Sequence, residues 1–344
     1  MPKNREDSVM KVMELARFGI ENLKIVDAEV PVPGPGQVLV KFGGASINYR
    51  DYQIVTGEFA PNQPLPIIPG SDGAGEVVGI GDSVTRFTQG DRVAPLFFPN
   101  WLSGEALGDV RSISSGLEAP GVLREYGVYD QDQLGRVAPH LTDEEAACFP
   151  CAGLTAWTCL VPLSKIQAGD TVLVQGTGGV ALFALQFAKA LGASVIITSG
   201  SDAKLEQAKA LGADHCINYL GTPAWGDLAR ELTKGRGVDS VIEIGGTGTL
   251  PQSIAALRRG GHINIVGYLA GIEIGLTVFH LIERNAHLHG VSVGNTEGFT
   301  EMMNFVSEHN LVPMIHKSYA FEDSAAAMMA IVAGDHFGKL VVRI

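Results

Sequence analysis

The chain has 344 residues, 46% of them hydrophobic, enough for two filled cores and too long for one small domain. Its formal net charge of -12 leaves no broad cationic surface to neutralise phosphates, so nucleic acid and anionic membrane surfaces are excluded as expected partners. The polar start from Met1 to Ser8 has no signal-like apolar core, no stretch reads as an uninterrupted membrane span, and four cysteines crowd into one region. These features point to a cytoplasmic protein with reduced thiols.

From Val9 to about Leu141 the text is strand-like, at Val38 to Val40 with Phe42, Gly75 to Gly79 and Arg92 to Pro95, punctuated by Pro33-Gly34-Pro35-Gly36, Pro69-Gly70 and Gly90-Asp91. Phe97, Phe98 and Trp101 follow, either as core or as lining for a flat ligand. Cys148 and Cys151 form a C-x-x-C, but no second pair or neighbouring histidine completes a metal site, and two small apolar residues on one helix is the simpler reading.

From Asp170 strands and helices alternate: strand Thr171 to Gln175, helix Val180 to Leu191 stopped by Gly192, strand Ser194 to Thr198, and a helix from near Asp202 to Gly212. Further strands are expected at Cys216 to Asn218, Val238 to Ile244, His262 to Val266 and His287 to Val293. That alternation predicts an α/β, doubly wound parallel sheet of Rossmann type with helices on both faces. The tail, with helices Phe299 to His309 and Asp323 to Gly334 and a closing strand Lys339 to Arg343, is short for a third domain. It is expected to pack back on the N-terminal β domain, with a substrate cleft between two lobes.

Gly176-Thr177-Gly178-Gly179-Val180-Ala181 lies directly after the first buried strand and before its helix, matching G-x-G-x-x-G/A in the context that motif requires. Gly176 permits a tight turn, Gly178 lets the backbone approach a pyrophosphate, and the helix end supplies partial positive charge. At the end of the second strand, where NAD sites carry a carboxylate, this chain has Ser199, Gly200 and Ser201, with Lys204 one turn on. Small hydroxyls and a cation suit a 2′-phosphate, which points to NADPH. The same serines also suit capping of the helix near Asp202, and Lys204 also suits a solvated surface.

Five further strings fall in a familiar order: Asn48-Tyr49-Arg50-Asp51, Pro69 to Val77, Gly90-Asp91-Arg92-Val93, Cys151 to Trp157, and Gly338-Lys339-Leu340-Val341. Over nearly its whole length the chain resembles the medium-chain dehydrogenase/reductases. The resemblance implies a mostly β, GroES-like catalytic domain formed by residues 1–151 and 295–344, and a Rossmann cofactor-binding domain over 152–294. The zinc alcohol dehydrogenases of this group place cysteine, histidine and often cysteine where Asn48, Ser71 and Cys151 stand. Only Cys151 remains, and the stretch between Phe97 and Val122 has none of the four cysteines of a structural zinc lobe. The expectation is therefore no zinc and no metal ligands, on the quinone-oxidoreductase branch.

On that branch the resemblance places Ser199, Gly200, Lys204 and Tyr219 around the 2′-phosphate and adenine, and Thr155 near the nicotinamide ribose. Gly267 and Val293-Gly294 would border the nicotinamide, and Lys339 would approach the cofactor. Asn48, Asp51 and Tyr52 would line the reacting end: Asn48 and Tyr52 as donors to a substrate oxygen, Asp51 orienting them. Asp51 reads equally as a structural acid, and Tyr52 as a packed aromatic. The expected activity is NADPH-dependent hydride transfer to a quinone or α,β-unsaturated carbonyl. The alternatives are NADP(H)-dependent alcohol or aldehyde oxidation and nucleotide binding without turnover. The last strand, His287 to Val293, would be an exposed apolar edge, and its cover predicts a homodimer.

Overall fold

A computed structural model describes residues 9–273 and 275–344, so the polar start at residues 1–8 lies outside the described residues. The chain forms two compact units: one runs to Leu154 and resumes at Gly294, and the other is Thr155–Val293.

In the first unit, alternation of inward and outward side chains along Gln37–Ile47 makes this strand the centre of a seven-stranded sheet. It pairs antiparallel with Asp72–Ile80, Tyr126–Asp130 and the C-terminal strand Lys339–Arg343. Lys339–Arg343 pairs in turn, parallel, with Ile315–Ala320, so the last segment of the chain completes the sheet that the first segment begins. Val38, Val40, Phe42, Val77, Val93 and Leu134 supply its buried face, against which Val55 and Met328 pack. Gly75 is obligatory here, because a Cβ at that position would stand 2.0 Å from the Lys41 carbonyl oxygen.

The helix Tyr49–Thr56, not read from the sequence, follows the central strand, with Asn48 as its N-cap and Asp51 and Tyr52 in its first turn. Its eight residues are too few to set up a clear helical period. The helix expected to carry Cys148 and Cys151 belongs to a helical stretch, Asp143–Leu163, that is 21 residues long and apolar enough to cross a membrane, a length the sequence reading did not anticipate. Because 72% of its apolar window is buried within the protein, core packing accounts for its hydrophobicity. It includes two π-helical turns, Phe149–Gly153 and Cys159–Leu163, each containing a proline that removes one backbone donor.

The second unit holds a six-stranded, wholly parallel sheet in the order His215–Asn218, Ser194–Ser199, Thr171–Gln175, Val238–Glu243, Leu257–Ile265, His287–Gly290. Continuous apolar runs such as Val172, Leu173 and Val174, all fully buried, are what strands covered on both faces require. The edge strand corrects the sequence reading in two respects. It ends at Gly290 rather than Val293, and its residues His287, Leu288 and His289 are not an apolar edge. The exposed apolar side chains lie just before it, at Val278, Phe279 and Ile282 of the helix Val278–Arg284.

Three histidines share one face at this edge. The His262 and His289 rings meet at Nδ1 to Nε2, 2.9 Å, and His287 stacks on His262 with centroids 4.7 Å apart. Burial, and then the neighbouring His287, His289, Arg258 and Lys165, push His262 from 6.5 down to about 4. A histidine held neutral by the fold binds its proton more weakly than the unfolded chain does. The stability it supports is therefore full above pH 6.5 and drains away as pH falls toward 4. The stability advantage of wild type over His262→Asn, measured by denaturation, should shrink between pH 7 and pH 4.5; a constant difference contradicts the assignment.

Candidate functional site

In the second unit the strand Thr171–Gln175 ends on Gly176, whose φ of 74° is a conformation only glycine adopts freely. The turn is pinned by the Gly176 amide donating to the Thr198 carbonyl at 2.8 Å. Gly178 is the N-cap of the helix Gly179–Ala190, with extended backbone and no side-chain cap. The first amides of that helix thus have no intrahelical acceptor and no capping oxygen, the condition for seating an anion. Thr177 and Ala181 are buried, and Val180 opens the first turn.

At the end of the next strand the structure brings Ser199, Gly200, Ser201 and Tyr219 together. The Ser201 amide donates to Ser199 Oγ at 3.2 Å, and the Tyr219 amide donates to the Ser199 carbonyl at 3.2 Å. The Tyr219 hydroxyl covers Gly200 so closely that a Cβ there would meet it at 2.8 Å. Ser201 caps the helix Asp202–Ala210 through the Lys204 amide, so the capping role proposed from sequence is present. Asp202, the acid nearest this cluster in sequence, has Oδ1 engaged by Asn218 Nδ2 at 2.6 Å.

Of the other residues in this unit, Thr155 is buried, and Gly267 packs so closely on Ile244 that a Cβ would lie 2.7 Å from its carbonyl oxygen. Val293 is buried with φ of 59°, a strained backbone for a β-branched residue.

In the first unit a buried polar cluster forms where the central strand meets the helix Tyr49–Thr56. Asn48 Nδ2 donates to Asp72 Oδ2 at 2.8 Å, and Lys339 Nζ donates to Asn48 Oδ1 at 2.6 Å and to the Ile47 carbonyl at 2.9 Å. Lys339 is only 4% exposed, and Asn48 links its ammonium to the buried carboxyl group of Asp72. Asp51 accepts the Ser71 hydroxyl at 2.5 Å and the amide of the N-cap Asn48 at 2.8 Å, the second as the N3 member of a capping box. Those bonds go to the backbone of Asn48 and to Ser71. Tyr52 is half-buried with its ring against Tyr49, centroids 6.3 Å apart.

Arg50, quoted in the sequence only within a family string and given no role, donates to Ser71 Oγ at 2.8 Å, to the Ser115 carbonyl at 3.0 Å and to the Ser114 hydroxyl. Its guanidinium lies over Phe97, 4.7 Å from the ring centroid, and Phe97 and Phe98 are themselves buried. Asp72 was likewise missed. An acid within the glycine-rich run Pro69 to Val77, where the strand is otherwise buried, was the signal available. Burial pushes Asp72 up to about 7, against the pull of Lys339 and Asn48, and burial also raises Asp51.

The donor set does not fit zinc. A catalytic zinc takes about three N, S or O ligands. Here the Asn48 carbonyl oxygen is committed to an ammonium and Ser71 donates its proton to Asp51, so of the three positions compared with zinc ligands only Cys151 offers a soft donor. Among the described residues, no group of three or more histidine, cysteine, aspartate or glutamate side chains is placed to hold a metal ion.

Residues 34–139 match the alcohol dehydrogenase GroES-like domain, and residues 179–308 match the zinc-binding dehydrogenase family. A zinc-type alcohol dehydrogenase-like protein of Schizosaccharomyces pombe is 40% identical over 333 residues, spanning 95% of this chain and 96% of that protein. A solved protein from Sinorhizobium meliloti 1021, with alcohol dehydrogenase as its working designation, superposes with a TM-score of 0.93 at 38% identity, covering 98% of this chain and 99% of that one. A mycobacterial quinone oxidoreductase superposes with a TM-score of 0.81 at 27% identity, covering 97% and 100%.

The cluster makes two predictions. Removing the cation with Lys339→Met leaves Asn48 and Asp72 buried without it and should cost about 3 kcal/mol in chemical denaturation. A carboxyl with a raised pKa holds its proton more tightly in the fold, so its contribution is lost as pH rises from about 4 to about 7. Asp72→Asn should therefore gain on wild type across that window, and a gain in the opposite direction would refute the assignment.

Proposed function

This chain belongs to the medium-chain dehydrogenase/reductase superfamily and is an oxidoreductase, and we propose that it reduces a quinone or an α,β-unsaturated carbonyl with NADPH and without a metal. The observation that carries this reading is the Asn48 amide fixed between Lys339 and Asp72. An ammonium only donates, so the atom it meets is Oδ1, and Nδ2 must then face the Asp72 carboxyl oxygen. The second N–H of Nδ2 is left to donate to a substrate oxygen, with the Lys339 charge behind it.

The nucleotide is held by the amides that open the helix Gly179–Ala190, with Ser199, Ser201 and Lys204 serving the 2′-phosphate. When bound, a reduced nicotinamide supplies a hydride to the conjugated acceptor. The enolate or phenolate oxygen that gains charge is stabilised by Asn48, and Asp72 keeps its own proton up to about pH 7. A zinc-dependent alcohol dehydrogenase is the second reading, favoured by the retained Cys151 and by the name of the fission-yeast relative. One tightly held zinc per purified chain would decide for it.

We further propose a homodimer, with Phe279 and Ile282, 65% and 71% exposed, covered by a second copy beside the edge strand His287–Gly290. Light scattering should give twice the chain mass for wild type and a monomer for Phe279→Asp.

The activity is tested by an acceptor screen with NADPH and NADH in parallel. Quinones or enones should be reduced at rates that chelators leave unchanged, and Asn48→Ala should lower kcat by about a hundredfold, as the loss of an oxyanion donor does. Ser199→Asp should weaken NADPH by about tenfold or more. Activity abolished by chelation, or an Asn48→Ala variant as fast as wild type, would overturn the reading.

A further inference from the structure

In the second unit the neighbouring parallel strands Thr171–Gln175 and Val238–Glu243 mark where the strand order reverses, and crevices that take ligands open at such points. Their last residues are Gln175, directly before Gly176, and Glu243. Glu243 is fully buried. It accepts from Gln175 Nε2 at 2.7 Å, from the amides of Gly245 and Gly246 at 3.0 Å each, and from the hydroxyls of Thr249 and Ser253. Gln175 Oε1 in turn accepts from the amides of Ile244 and Gly245, at 3.0 and 3.2 Å. All of these donors to the carboxylate are neutral, so a buried anion is satisfied entirely by hydrogen bonds.

The consequence reaches two loops at the same end of the sheet. Side chains of Glu243 and Gln175 hold residues 244–249. The Glu243 carbonyl accepts the Val266 amide at 2.8 Å, and the Leu269 and Ala270 amides donate to the Ile244 and Gly245 carbonyls at 3.2 and 2.6 Å. We propose that Glu243, locked by Gln175, is a positioning residue for the dinucleotide. It takes up the Gly245 and Gly246 amides, so that the helix opening at Gly179 remains the anion seat, and it fixes the loops that border the nucleotide. The inference rests on the nucleotide reading above. A carboxylate is required because five donors converge on two oxygens: an amide would turn an NH2 group against some of them. Gln175 cannot flip to compensate without losing Ile244 and Gly245.

Glu243→Gln, Gln175→Met and the milder Ser253→Ala are compared with the wild-type chain by NADPH titration, amide hydrogen exchange and steady-state kinetics. In Glu243→Gln, exchange over residues 244–249 should accelerate, and the Kd and KM for NADPH should rise by about tenfold. The kcat at saturating NADPH should stay within about threefold of wild type, a split that general destabilisation would not produce. Ser253→Ala, which only removes one hydroxyl, should raise Kd by about threefold, and it carries the test if the other variants fail to fold. Faster loop exchange with an unchanged Kd in every folded variant overturns the inference while leaving the proposed function intact. A wild-type chain that binds neither NADPH nor NADH overturns both.

Discussion

A helix whose first amides are left unsatisfied is the constraint on which the second unit is organised. The helix Gly179–Ala190 begins at an extended glycine, carries no capping side chain and follows a turn held in the left-handed region at Gly176. A globular protein tolerates such an end where water or a ligand completes it. The parallel sheet supplies the position, because strands buried on both faces bring their carboxyl ends to one edge, with the order reversing beside Thr171–Gln175. Gln175, Glu243 and the loops they tie down then shape that edge without drawing on the amides of the helix.

The first unit solves a different electrostatic problem. A lysine only 4% exposed and two fully buried aspartates are costly unless each finds partners, and Asn48, Ser71 and Arg50 connect them into one network. The network leaves the Asn48 amide with a single defined orientation. It also commits the Asn48 oxygen to Lys339 and the Ser71 hydroxyl to Asp51.

Much of this was legible in the sequence for physical reasons. Thr171–Gln175 and Lys339–Arg343 stand where their apolar runs place them, because strands of that length bounded by glycine and charge have few alternatives. The turn at Gly176 was readable because only glycine accepts its φ. The helix Tyr49–Thr56 and the shortened edge at His287–Gly290 were not, since tertiary packing rather than local pattern decides both. The partners of Lys339 were equally hidden: Asn48 lies 291 residues away, and nothing local links an asparagine after one strand to a lysine at the start of another. Asp72 and Glu243 were visible only as acids within buried strands, a sign of a network but not of its members.

The most direct measurement is a crystal structure of the chain with NADPH. The account requires pyrophosphate oxygens about 3 Å from the amides that follow Gly178, with the 2′-phosphate beside Ser199 and Ser201. Crystals in which the nucleotide stays out at saturating concentration, or seats its phosphates away from that helix, would contradict it.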